Sequence, residues 1–276
     1  MGLVPPSHEQ GRVPADREQG RAKASLIIAA EFRSRIAAGE LVEGQPLPVE
    51  SALVDELGVS KAVVREALRI LETEGLVEVR RGVGGGPRVR HPSVPEVAKG
   101  MGVYLQIGDV LVTDVWETRD RIVGAAVERL AASGRPDAHE ALEVHLSLLE
   151  DAVGHFEDFW PRLMTVGEAA VLATGSGTEH LIVLSLRHIV AAELAAATRS
   201  ITDIDEAVGA EVEVARRWRE VARHVKSARP RPARNAHDSQ AALVRDGLWS
   251  RMEGLTVGEA IGRSRRGRRP PLSRQK

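Results

Sequence analysis

Residues Val59–Val89 read VSKAVVREALRILETEGLVEVRRGVGGGPRV, and the reading of this stretch decides the fold around it. Val64, Ala67, Leu68 and Leu71 recur at the three- and four-residue spacing of one helical face. Lys61, Arg65 and Arg69 stand at i, i+4 and i+8 on the opposite face. Ser60 sits where an N-cap belongs and Gly75 where a helix stops. LVEVR then alternates with period two, RGVGGG turns the chain, and PRVR brings it back. The stretch predicts a helix followed by a β-hairpin with a glycine-rich tip.

Three readings compete for the glycines at 82–86. A phosphate-cradling loop needs a helix N-terminus after it, so that free backbone N–H groups face the phosphate. Here strands lie on both sides, Pro87 follows, and no Gly-Lys-Ser or Gly-Lys-Thr appears. The plainest reading is a surface turn with no partner. The third is a wing lying along DNA, with Arg80, Arg81, Arg88 and Arg90 supplying charge for phosphates.

The residues upstream favour the wing. A helix is expected from about Ser25, as N-cap, to Ala38, with Ile28, Phe32 and Ile36 on its apolar face and Gly39 as its stop. GELVEGQPLP carries too much Gly and Pro for a helix and reads as a loop with a short strand at Leu41 and Val42. A second helix covers about Val49–Leu57, with Leu53 and Leu57 inward, and Gly58 breaks it. A short helix, a tight GVS turn and a helix that is basic near its start form the pattern of a helix-turn-helix. The N-terminal part of its second helix enters the major groove, where Arg and Lys donate to guanine edges or phosphates.

Beyond Val94 the pattern changes. Ala and Leu dominate, and helices are expected at Val94–Gln106, Val110–Ala132, Pro136–Gly154, Phe156–Ala173, Glu179–Ala197, Asp205–Ser227 and Pro232–Met252, with a short one at Val257–Ile261. The expected fold is mostly α: a flexible tail over 1–24, a winged helix-turn-helix domain over 25–91 (three helices plus a β-hairpin), an all-helical effector-binding and dimerisation bundle over 94–257, and a basic, Pro-rich disordered tail over 262–276.

Composition agrees. Aromatic residues are only 3% of the chain, so the core must be aliphatic, which suits helices. The chain has no cysteine, which excludes disulfides, thiolate zinc sites and a cysteine nucleophile, and fits a reducing cytoplasm. The polar N-terminus has no apolar core of signal-peptide length, and no run reaches the roughly 18 apolar residues of a membrane span. With a formal net charge of −1, a nucleic-acid partner must meet a local basic face.

The segment IAAGELVEGQPLPVESALVDELGVSKAVVREALRILETEGLVEVRRG resembles the winged-helix domain of the GntR family of bacterial transcription regulators. The landmarks are the lead-in from Ile36 to Pro48, ELGVS at Glu56–Ser60, VREALRILETEGLV at Val64–Val77 and RRG at Arg80–Gly82. The helical part, opening on DVWETRDRIVGAAVERLAA, more loosely resembles the ligand domain of the FadR-type subfamily. The resemblance implies DNA contacts from Ser60, Lys61, Ala62 and Arg65 and, at the wing, from Arg81 and Gly82. The basic stripe and the hairpin add Arg69 and Arg80. Two positions depart from the family pattern: Ser51 replaces an Arg usual in the second helix, and Lys61 another, which exchanges a planar fork for a point charge.

Many such relatives hold a divalent metal through Asp-x-x-x-His and two later histidines. Aligned on LATGSG, those positions carry Thr165, Ala169, Trp218 and Gln240, which is no ligand set, so neither metal nor other cofactor is expected. His180, His188, His224 and His237 read as ordinary histidines. Without a metal, an apolar or mixed effector pocket is expected near Val166, Ala169, Ala170 and Trp218, for a fatty acyl, acyl-CoA or organic-acid ligand. Arg119 stands where the family has a pocket arginine that meets an acid group; an internal salt bridge is its plainer reading.

The function expected is a cytoplasmic, non-enzymatic transcription regulator, by default a repressor. As a homodimer it would bind a palindromic double-stranded operator under the control of a small effector, with no part in a membrane. The alternative is a helical ligand-binding or enzymatic protein whose first domain is only an interaction module. No catalytic constellation supports it: Glu168, Glu179 and His180 are near in sequence, which does not make an active site.

Overall fold

The computed structural model describes residues 13–82, 85–199, 204–247 and 252–260. The chain divides into two compact units, one up to Glu96 and one from Val97 onward.

The first unit contains α1 (Val13–Ala37), α2 (Glu50–Leu57), α3 (Lys61–Thr73), β1 (Val77–Arg80) and β2 (Gly86–Val89). Helix α3 carries its apolar residues on one side, and Val63, Val64, Ala67, Leu68 and Leu71 are all buried. Val64, Leu68 and Leu71 pack with Ala29, Phe32 and Ile36 of α1, Leu53 of α2, and Val77 and Val89 of the hairpin. Gly58 ends α2 at φ 64°, and Gly75 turns the chain out of α3 at φ 73°. The strands pair antiparallel, with Val77 opposite Val89 and Arg80 opposite Gly86.

Two expectations are corrected here. Helix α1 begins at Val13, and Ser25 is a buried interior residue whose Oγ donates to the Ala22 carbonyl at 2.8 Å. The stretch ADREQGRAKA is rich in Ala, Arg, Glu, Gln and Lys, good helix formers that extend the helix toward the N-terminus. The expected tail therefore applies at most to residues 1–12, which lie outside the described residues, as does the C-terminal tail 262–276. Leu41 and Val42 form no strand. Instead the loop bonds to β2 slightly later, through Gly44 N to Val89 O (2.9 Å), Val89 N to Gln45 O (2.9 Å) and Leu47 N to Pro87 O (2.8 Å). The lead-in loop thus covers what would be an open strand edge.

The second unit is helical: α4 (Val94–Ile107), which begins just before the division, α5 (Val112–Ser133), α6 (Pro136–Glu150), α7 (Phe156–Ala173), α8 (Gly177–Arg199), α9 (Ile204–Lys226) and α10 (Pro230–Gly247). Helix α5 is central and packs against α7, α8, α9 and α10. Residues 257–260 add a helical turn, and the segment before it bonds back to the start of α5 through Val112 N to Leu255 O and Val257 N to Val110 O, both 2.9 Å. On α9, Arg219 bridges Glu143 and Glu150 of α6.

Glu211, also on α9, is fully buried. Its Oε2 accepts from Gly154 N at 2.8 Å and holds the α6–α7 turn, while Oε1 has no hydrogen-bond partner among the described residues. Burial raises the pKa of this carboxyl, with the Gly154 N–H and His155 opposing. A carboxyl whose folded-state pKa is raised contributes stability below its unfolded pKa and loses it as pH rises through the folded value. Glu211→Gln keeps an acceptor without the charge. The stability lost by the wild-type helical unit on going from about pH 4.5 to 7.5 should therefore shrink in this variant, as measured by urea unfolding at both pH values.

Candidate functional site

Ser60 is the extended N-cap of α3 (φ −70°, ψ 152°), and its side chain makes no cap hydrogen bond. Lys61, Ala62, Arg65 and Arg69 follow on the solvent side, all exposed, because the opposite side is committed to the core. The arginines do not stand alone. Arg65 Nε meets Glu50 Oε2 at 2.8 Å, Arg69 meets Glu66 at 2.6 Å, and Arg80 on β1 meets Glu78 at 3.1 Å. Lys61 and Arg81 are exposed and make no ion pair among the described residues. Solvent-exposed pairs of this kind are worth about 0–1 kcal/mol, so a phosphate can displace the carboxylates at small cost.

At the hairpin tip the glycines are required by the backbone itself. A Cβ on Gly85 would lie 2.4 Å from the Arg80 carbonyl oxygen, and Gly82 and Gly86 adopt φ 99° and 131°. Of the four arginines that the sequence placed around the wing, two have partners outside the hairpin. Arg88 Nη1 donates to the Gly44 carbonyl at 3.1 Å and pins the lead-in loop, and Arg90 pairs with Glu96 at 2.7 Å at the start of α4. Arg80, Arg81 and Gly82 remain together at the exposed end of β1.

In the helical unit, Arg119 is buried on α5 with its side chain 4% exposed. Its Nη2 donates to the Met164 carbonyl at 2.9 Å, its Nη1 lies 3.3 Å from Asp120 Oδ1, and its Nε has no hydrogen-bond partner among the described residues. Burial lowers the guanidinium pKa, opposed by Asp120 and Glu168, and burial raises the carboxyl of Asp120. Glu168 is also pushed up by burial; Arg187 Nε lies 3.1 Å from its Oε1, an ion pair without good hydrogen-bond geometry. The internal salt bridge, the plainer of the two readings of Arg119, is present.

Arg119, Trp218 and Gln240 line a common cavity of about 10 Å³ with Trp116, Asp120 and His237, room for roughly one water. Trp218 meets the His237 ring edge-on at 5.6 Å. Val166 and Ala169 are buried but line neither this cavity nor the larger one, and Thr165 donates to its own helix at Arg162 O. The larger cavity, about 610 Å³, lies along α5 and α10 and is lined by Glu117, Asp120, Arg121, Arg234, Arg245 and Glu253 among others. No pattern in the sequence signals this cavity, because its lining reads as two solvated helix faces. Among the described residues no three His, Asp or Glu side chains lie close enough to hold a metal ion.

A helix-turn-helix with a hairpin wing, followed by an all-helical unit, defines the class of protein. The description of bacterial regulatory proteins of the gntR family matches residues 25–85. The HTH-type transcriptional regulator Mce2R of Mycobacterium tuberculosis is 30% identical over 175 residues, 60% of this chain and 70% of that protein. The Exu regulon transcriptional regulator of Escherichia coli (strain K12) is 49% identical over 57 residues, 21% of this chain and only 22% of that protein. The solved structure of Streptococcus agalactiae GntR aligns with a TM-score of 0.59 at 21% identity, covering 80% of this chain and 99% of the other, which establishes likeness of fold. The chain belongs to the GntR family.

Close packing around Arg119 yields a test. A Cβ on Gly167 would lie 2.9 Å from Arg119 Nη2 and 3.2 Å from Val123, whereas one on the exposed Gly100 of α4 meets nothing within 4 Å. Gly167→Ala should destabilise the helical unit by about 1–3 kcal/mol through overpacking. Gly100→Ala should stabilise it by about 0.5–1 kcal/mol. Urea unfolding of the two variants gives the signs.

Proposed function

We propose that the protein is a DNA-binding transcription regulator, acting in the cytoplasm as a homodimer of the FadR type, with each winged helix reading one half of a palindromic operator. The observation that carries this reading is the exposed edge Ser60–Lys61–Ala62–Arg65 at the start of α3, beside a wing that keeps Arg80, Arg81 and Gly82 outward. This is the geometry of a recognition helix with backbone contacts to one side. The names of the relatives, all regulators, support the same reading over an enzyme, and repression is its default sign.

The helical unit would hold the effector. A mixed-charge lining suits a small polar molecule better than a long acyl chain, whose burial needs an apolar wall. Arg119 Nε and Trp218 Nε1, without partners among the described residues, border the small cavity, which has room for a water but not for an organic acid unless its packed walls open. The effector would change DNA affinity only as far as it binds two arrangements of the dimer unequally.

The test of the DNA assignment is the double variant Lys61→Ala, Arg65→Ala. Operator affinity should fall to the non-specific level, roughly a thousandfold or more, in a fluorescence-anisotropy titration. Unchanged operator affinity would refute the role of α3.

A further inference from the structure

The arginines near the recognition edge are held in two different ways. Arg69 gives Nε (3.0 Å) and Nη2 (2.6 Å) to the two oxygens of Glu66, and Arg80 gives Nε and Nη2 to Glu78 Oε2, each at 3.1 Å. In both, the side of the guanidinium fork is occupied. Arg65 is held only at its neck: Nε donates to Glu50 Oε2 at 2.8 Å, and neither Nη group has a hydrogen-bond partner among the described residues. Glu50 is the first residue of α2, so its carboxylate reaches across the helix-turn-helix to the second helix. The Arg65 side chain is 61% exposed and that of Glu50 34%, which leaves the arginine tip as the outer part of the pair.

This arrangement has a chemical consequence. End-on recognition of guanine uses two N–H groups directed at O6 and N7. An acceptor on Nε orients the guanidinium plane and leaves both Nη groups for the base. It also fixes a long side chain before binding, so less conformational freedom is lost on contact. The same carboxylate places a negative charge near the phosphates, which weakens sequence-independent attraction. One residue thereby trades general affinity for discrimination.

We propose that Glu50 is a positioning residue for base readout: it braces Arg65 so that its guanidinium tip reads a guanine edge. Arg69 and Arg80, with occupied forks, reach phosphates by exchanging partners. The proposal rests on the reading of the chain as a DNA-binding regulator. The experiment therefore begins with selection of a duplex from a random-sequence library by the wild-type full chain. Affinities of wild type, Glu50→Ala, Arg65→Ala and the double variant are then measured for the selected duplex and for a scrambled one.

Glu50→Ala, which removes the acceptor, should lower affinity for the selected duplex about fivefold and relax preference at one guanine, while affinity for the scrambled duplex stays level or rises. In the Arg65→Ala background the same change should have no effect on the ratio of the two affinities. Glu66→Gln should leave that ratio as in wild type. An unchanged ratio in Glu50→Ala would overturn the proposal, as would an equal loss on both duplexes or a loss that persists without Arg65. A wild-type unfolding temperature in Glu50→Ala excludes misfolding as the cause; if that variant is destabilised, Glu50→Ser takes its place, since its short hydroxyl cannot reach Arg65 Nε, and it should lower the ratio in the same way. Enrichment of no sequence by the wild type would defeat the regulator reading itself, and this proposal with it.

Discussion

The burial of one face of α3 is the constraint on which the first unit depends. Leu71 is fully buried and Val64 nearly so, packed with α1, α2 and the hairpin. Removing that face from water drives the packing. A helix so committed has no rotational freedom, and its other side must face solvent. Lys61, Arg65 and Arg69 are outward because Val64, Leu68 and Leu71 are inward. The recognition edge is thus a by-product of core formation, and its position is as rigid as the core.

Close approach shapes the second unit in a comparable way. Helix α5 lies among four others, and glycine makes two of those contacts possible. A Cβ on Gly124 would come within 2.9 Å of both Arg234 Nε and His237 Nδ1, and one on Gly167 would strike Arg119. The charged side chains that border the two cavities are therefore set against backbone with no slack. A ligand entering the smaller one would displace packed groups, which is a route by which a small molecule can bias the arrangement of helices.

Much of this was legible in the sequence because it is local. Hydrophobic period and glycine punctuation placed α3 and the hairpin, and the landmarks from Ile36 to Gly82 pointed to the family. The misreadings have local causes as well. Ser25 looks like an N-cap, but the helix formers before it continue the helix, and its hydroxyl turns back to Ala22. Leu41 and Val42 look like a short strand, but the loop bonds to β2 only from Gly44 onward.

The sequence by itself determined the helix and hairpin of 59–89 and which residues of α3 face out, since both follow from side-chain period over a few turns. Only the tertiary structure decided the partners of the exposed cations. Glu50 and Arg65 are fifteen residues apart and Arg33 and Glu74 forty-one, and no periodicity couples such positions. It also decided that Arg119, Trp218 and Gln240 share a cavity, because three helices distant in the chain must pack before their side chains can meet.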